Sequence, residues 1–383
     1  MMEDINDIIN DRIKKLEIKG VKVIDPRQTY VAQEVDIERI FPGSTLFPGT
    51  RLEGARTLVG SFAKIGTEGP ATIQDTIVGA HAEVASGYLA ETTLLPRAKA
   101  GANAHFRAGT LLEEDAVTAH AVGLKQSILM NSVTLGSLIN FCDALISGGS
   151  SRKDHTEVGS GFIHFNFTPW GKSGDKATPS LVGNVTEGVF LDQDRIFLGG
   201  LSGIVGPFSV GFGAMLPAGQ IARRSSVDST GSISAESRRY DGVGLVPSKP
   251  VFSKKRLDSI REMNAEFIVQ AYALREWYLK VRLDRSRRQG DEELQLVLAG
   301  AIETIEACIS ERLKRYNNFA NEFELASPMD EMLINNAPKG MELDLDWKPE
   351  LDYSDWVRGL AQWEKQELRS WLCSVAGELR RVL

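Results

Sequence analysis

From Val35 to about Ala222 aliphatic residues return every six positions, and this period constrains the fold more than any other feature of the chain. Ile40, Leu46, Leu52 and Leu58 open the series. VGAHAE (78–83), VASGYL (84–89), LPRAKA (95–100), VTLGSL (133–138) and VGFGAML (210–216) continue it. A period of six is neither the spacing of a helix nor the alternation of a simple strand. It fits a left-handed parallel β-helix, with one short strand per hexapeptide and three strands per coil. The aliphatic residue turns inward, and small residues beside it let the chain turn at each corner. SGGSSRKD (147–154) and FTPWGKSGDKATPS (167–180) read as loops thrown out at corners.

The flanks have a different texture. Ile5, Ile8, Ile9, Ile13 and Leu16 sit at helical spacing, so residues 1–34 are expected to hold a docking helix and a lead-in to the coils. The β-helix is assigned to 35–222, and the polar, turn-rich stretch 223–250 reads as a linker or extended loop. Residues 251–383 are expected to be helical. Ile260, Met263, Phe267, Ala271 and Leu274 share a face that Trp277, Tyr278 and Val281 extend. A turn within 285–293 leads to a second helix carrying Leu296, Ile302, Ile305, Ile309 and Leu313. A last helix ends near Leu383. The predicted fold class is mainly β with an α-helical C-terminal region.

Charge and composition exclude several functions. A formal net charge of −7 argues against nucleic acid as the main partner. No apolar run reaches the roughly 18 residues of a membrane span, and the acidic N-terminus lacks a signal peptide's apolar stretch. Cys142, Cys308 and Cys373 are far apart, so neither a metal site nor a disulfide framework is expected. A cytoplasmic location follows as the simplest expectation.

Chemistry enters through stacking. One coil is three hexapeptides, so residues 18 apart lie above one another, as Arg107 and Lys125 do. Neighbouring coils are about 4.8 Å apart, and two exposed cations at that distance repel by roughly 1 kcal/mol in water. An anion between them, a phosphate or pyrophosphate, converts the repulsion into attraction. The alternative is a solvated basic face without a ligand.

The segments RAGTLLEEDAVTAHAVGLK (107–125), LGSLINFCDALIS (135–147), EVGSGFIHFNF (157–167) and VGFGAMLPAG (210–219) carry a family resemblance. Together, from Phe106 to Ile221, they resemble the acetyltransferase domain of the bifunctional N-acetylglucosamine-1-phosphate uridyltransferase/glucosamine-1-phosphate acetyltransferase. That resemblance implies a phosphorylated sugar or nucleotide sugar as ligand, acetyl-coenzyme A as co-substrate with no resident cofactor, and a homotrimer. It places Arg107 and Lys125 on sugar-phosphate contacts, and Asn166 and Lys172 on further substrate contacts. Ala218 falls where the family's backbone meets acetyl-coenzyme A. Asn166 also fits a structural asparagine ladder, and Lys172 a loop lysine.

Several positions depart from the family. Ser137 stands where its histidine base would be, Asn140 in place of a tyrosine, Glu157 in place of an asparagine, and Phe167 in place of another tyrosine. Serine cannot take a proton from an amine near neutral pH. Replacement bases are sought in His164, His155 and Glu157. Strand alternation sets His164 and Asn166 on one side, while His81, His105 and His120 lie in early coils and carry less weight. About one extra hexapeptide separates Ser137 from Asn166. GSTLFPGTR (43–51) reads as coil and not as a nucleotide loop. Three functions are weighed: an acyltransferase on an amino sugar phosphate or nucleotide sugar, a non-catalytic nucleotide-sugar binder or scaffold, and a sugar-phosphate nucleotidyltransferase.

Overall fold

The computed structural model describes residues 5–166, 178–223, 254–325, 329, 345 and 347–383. Short parallel strands stack into a solenoid of about ten turns, a left-handed β-helix of hexapeptide repeats, followed by a helical region. Helix accounts for 37% and strand for 26%, because each strand of a coil is only two to seven residues long and corners make up the rest.

Each coil has three faces. The first is a ladder of ten short strands from Lys22–Val23 to Met215–Leu216. The second begins at Tyr30–Val31 and ends at Ile221–Ala222. The third runs from Leu58–Val59 to Phe208–Val210. Two strands, Gly123–Leu129 and Asn140–Ile146, turn a corner and join the second face to the third. Strand pairing starts at Lys22, so the lead-in before Val35 is already coil. GSTLFPGTR contributes the ordinary strands Thr45–Leu46 and Thr50–Glu53.

The period is real but not rigid. Lys99 pairs with Val117, a step of 18, whereas Val117 pairs with Thr134, a step of 17. The interior stack includes Ile40, Leu46 and Leu52, but then Val59 and not Leu58. The longer strand Thr50–Glu53 and its corner shift the phase by one, and Leu58 turns outward. Left-handed backbone recurs at the corners: Phe62, His81, Arg97, Asp115 and Ser132 have φ between 57° and 65° or close to it. The extra residues between Ser137 and Asn166 form a small antiparallel hairpin, Gly149–Ser151 with Asp154–His155.

Helix α1 (Ile5–Ile18) docks on the first coils through Ile13 and Leu16. A short turn of helix, α2 (Val185–Gly188), interrupts the late coils. Helix α3 (Lys254–Trp277) continues through a wider turn at Tyr278–Arg282 into α4 (Leu283–Gln289). Gly290 takes φ +67° and reverses the chain into α5 (Glu292–Glu322). Helices α6 (Tyr353–Gly359) and α7 (Gln362–Val382) complete the layer. The pair of α3 and α5 matches the sequence expectation, except that Leu296 is 40% exposed.

These helices cover the third face. Leu58, Ile77, Leu111, Ile128, Leu145 and Leu181 point out of the coils into one apolar cluster with Phe267, Trp277, Ile305 and Tyr316. The inward residues of the same strands belong to a separate core. Alternation thus buries both sides of the third face, as it does in sheets covered by helices. Gly300 of α5 is where helix and coil come closest: a Cβ there would lie 1.8 Å from Ile77 Cδ1. Arg56 Nη2 donates to Gly300 O at 2.7 Å across the same contact. Gly300→Leu is expected to lower stability by about 1–3 kcal/mol through overpacking, measured as a reduced urea midpoint.

Candidate functional site

Among the described residues the second face keeps exposed side chains at Tyr88, His105 and Asn140, and it carries the sequence-predicted cations. Phe106 pairs with Leu124 in the ladder, so Arg107 and Lys125 stack at the end of that register. Lys125 in turn pairs with Cys142 one coil further on. Arg107 is exposed and Lys125 half-buried. Neither has a carboxylate partner among the described residues, and Arg107 Nη2 lies 3.9 Å from Cys142 Sγ. Burial raises the Cys142 thiol pKa, Asp143 adds to the rise, and Arg107 and Lys125 oppose it.

A second outward column runs beside this one. His105 pairs with Gly123, Gly123 with Asn140, and Asn140 with Ile163. Asn140 is exposed. Gly123 offers no side chain, and the Asn140 amide lies against it, its Oδ1 3.3 Å from where a Cβ would stand. The face ends at a ridge built by a backbone ladder: Leu138 N donates to His120 O, Gly161 N to Ser137 O, Leu201 N to Ser160 O, and Gly219 N to Gly200 O. Ser137 therefore lies on the ridge, and exposed Ala218 follows about three coils, roughly 14 Å, along it. Ser137 Oγ is 3.0 Å from His120 Nδ1.

The structure disperses the three replacement bases. His164 faces inward in the stack that holds Phe141 and Ile204 and is 3% exposed. Its Nδ1 meets Cys142 O at 2.5 Å and its Nε2 meets Ser180 Oγ at 2.8 Å. Burial lowers its pKa to about 4. With both nitrogens engaged inside the coil, His164 presents no lone pair to a substrate. His155 sits in the hairpin at the corner between the third and first faces, with Nδ1 buried and without a hydrogen-bond partner among the described residues. Burial lowers its pKa, and Arg152 adds to the effect. Glu157 projects from the first face between Thr134 and Phe197. None of the three shares the strip of Arg107 and Lys125.

Asn166 occupies a corner next to that strip. Its Nδ2 donates to Asp143 Oδ2 at 2.8 Å. Asp143 is fully buried and paired with Arg312 and Arg315 of α5. This corner therefore has a structural partner, as an asparagine ladder would, and helix α5 reaches the edge of the candidate site. Lys172 and Phe167 lie outside the described residues.

Sequence reasoning missed Cys142, Asp143, Arg312 and Arg315, and set His120 aside. His120 and Ser137 are one 17-residue coil apart, so the stacking rule that selected Arg107 and Lys125 finds them once the coil length is allowed to vary. Arg312 and Arg315 carry no such signal, because only tertiary packing brings them to Asp143.

The fold and its polar strip define a hexapeptide-repeat left-handed β-helix protein. No family model matches the chain. Among curated proteins the chain is similar to the bifunctional protein GlmU of Thermotoga petrophila, 26% identical over 211 residues, 55% of this chain and 41% of that protein. It is likewise similar to GlmU of Thermus thermophilus, 29% identical over 194 residues (50% and 37%). GlmU of Nocardia farcinica is 30% identical over 206 residues (54% and 36%). The chain spans less than half the length of these relatives. The resemblance read from 106–221 thus extends over about half the chain.

Proposed function

We propose that the second face binds a phosphorylated amino sugar or nucleotide sugar and that the protein transfers an acyl group to it from an acyl thioester such as acetyl-coenzyme A. The observation that carries this reading is the stacking of Arg107 and Lys125, without carboxylate partners among the described residues, at the edge of an open strip. A phosphate between them gains two charge-assisted contacts. Asn140, exposed beside Gly123, offers a hydrogen-bonding group for the sugar. Ala218, further along the ridge, is where the resemblance places the thioester carrier. The helices occupy the third face, so a homotrimer would form through the first and second faces, and light scattering at the trimer mass is the expected result.

Calorimetry with glucosamine 1-phosphate and UDP-N-acetylglucosamine tests the site. Arg107→Ala and Lys125→Ala should each weaken binding by about tenfold or more, the loss of one charge-assisted hydrogen bond. Absence of binding by every phosphorylated sugar would remove the reading. The second reading, a non-catalytic binder, is favoured by Ser137 at the family's base position. Binding without thiol release from acetyl-coenzyme A would select it.

A further inference from the structure

The ridge bordering the strip holds an imidazole and a hydroxyl in contact. Ser137 Oγ lies 3.0 Å from His120 Nδ1, and Ser137 N donates to Ser160 Oγ at 3.1 Å. His120 is exposed, and among the described residues its Nε2 has no hydrogen-bond partner. The strip lies directly beyond. On one coil, residues 120–125 lead from the imidazole past side-chain-free Gly123 to Lys125, at most about 18 Å for five residues. A phosphosugar together with the reach of a lysine or arginine side chain fills that span.

We infer that His120 is the general base of the acyl transfer and that Ser137 is the positioning residue that sets its tautomer. This rests on the acyl-transfer reading above. A hydroxyl accepting from Nδ1–H leaves the lone pair on Nε2, the nitrogen that faces solvent. The acceptor's amine nitrogen attacks the thioester carbonyl carbon, so a C–N bond forms and the C–S bond breaks. His120 Nε2 takes the proton from that nitrogen and returns it to the departing thiolate, which leaves a neutral imidazole and a free thiol. The histidine is thereby displaced by one coil relative to Ser137, and the hydroxyl at that level orients it.

Two measurements on the full chain test this. With acetyl-coenzyme A and glucosamine 1-phosphate, His120→Gln should reduce kcat by about 10²–10⁴-fold. KM for the sugar phosphate should stay unchanged, and Ser137→Ala should give a smaller loss in kcat. Full activity in His120→Gln, or an acyl ester found on Ser137 by mass spectrometry, would overturn the assignment. Long-range proton–nitrogen spectra of imidazole-labelled protein provide a readout independent of turnover. His120 should carry its proton on Nδ1 in the wild type and shift to Nε2 in Ser137→Ala. An Nε2-protonated His120 in the wild type would overturn the inference even if acyl transfer is observed. Absence of thiol release with the Nδ1 tautomer present would instead sink the acyl-transfer reading and leave the pair standing.

Discussion

Asp143→Asn is expected to destabilise the protein by about 3–5 kcal/mol, the range seen when one partner of a buried ion pair is removed. Asp143 is fully buried at the corner between the second and third faces, with φ +62°. Arg315 Nη1 reaches its two oxygens at 2.8 and 3.0 Å, Arg312 Nη2 contacts Oδ1, and Asn166 Nδ2 donates to Oδ2. Arg312 is 1% exposed, and burial lowers its pKa although Asp143 opposes the shift. Asparagine keeps the shape and tolerates the left-handed backbone, so the change isolates the charge. What remains is two guanidinium groups that have lost the carboxylate they shared, with Glu311 still 2.6 Å from Arg315 Nε. Five of the six tryptophans, Trp277, Trp347, Trp356, Trp363 and Trp371, belong to the helical region or its approach, so tryptophan fluorescence in urea, read in a Trp170→Phe background, reports that layer. An early fluorescence transition is the expected result. Arg312→Met in the Asp143→Asn background should recover part of the loss, because it removes the charge of the more deeply buried guanidinium. A midpoint unchanged from wild type would mean that the pair is hydrated and not buried.

The same ion cluster shows what the sequence could not convey. The hexapeptide period was legible because every coil repeats one physical demand, an aliphatic residue pointing inward, and the register confirms it at Phe106 and Leu124. The helices were legible from their apolar faces, but their docking site was not. Leu58, Ile77 and Leu111 resemble inward residues, and only the phase of each strand sends them outward toward α3 and α5. Asp143 lies 169 residues before Arg312, beyond the reach of any spacing argument. The site divides in the same way. Arg107 and Lys125 follow from the coil length, whereas the inward position of His164 does not, because its strand inverts the usual polarity. Ile163 and Phe165 flank it on the outer side, with Phe165 38% exposed, and the polar residue of the three points into the core. Alternation carries only as far as the strand, which ends at Phe165 before Asn166 turns at the corner towards Asp143, and it does not say which side is the inside.

That inversion makes stability depend on pH, and the direction follows from the shift. The His164 pKa falls from 6.5 to about 4 because burial disfavours the imidazolium; Arg312 also lowers it, whereas Asp143 and the Cys142 carbonyl oppose the shift. In the unfolded chain the ring protonates near 6.5. Between these values the unfolded state binds more protons than the native state, so stability falls as the pH drops from 6.5 towards 4. The full shift corresponds to about 3 kcal/mol from this one residue. His164→Gln removes the titration but retains an amide that can meet Cys142 O or Ser180 Oγ. The variant should be less stable than wild type at pH 7.5, where the neutral histidine makes both hydrogen bonds. The gap should narrow or close at pH 4.5, because only the wild type continues to lose stability through His164. Urea titrations of both proteins at the two pH values measure this directly. Parallel losses in the two proteins would show that His164 binds its proton equally well in the native and unfolded states, so that its ring is not held neutral inside the coil. A loss confined to the wild type would identify the inward histidine as the coil's own acid-sensitive element.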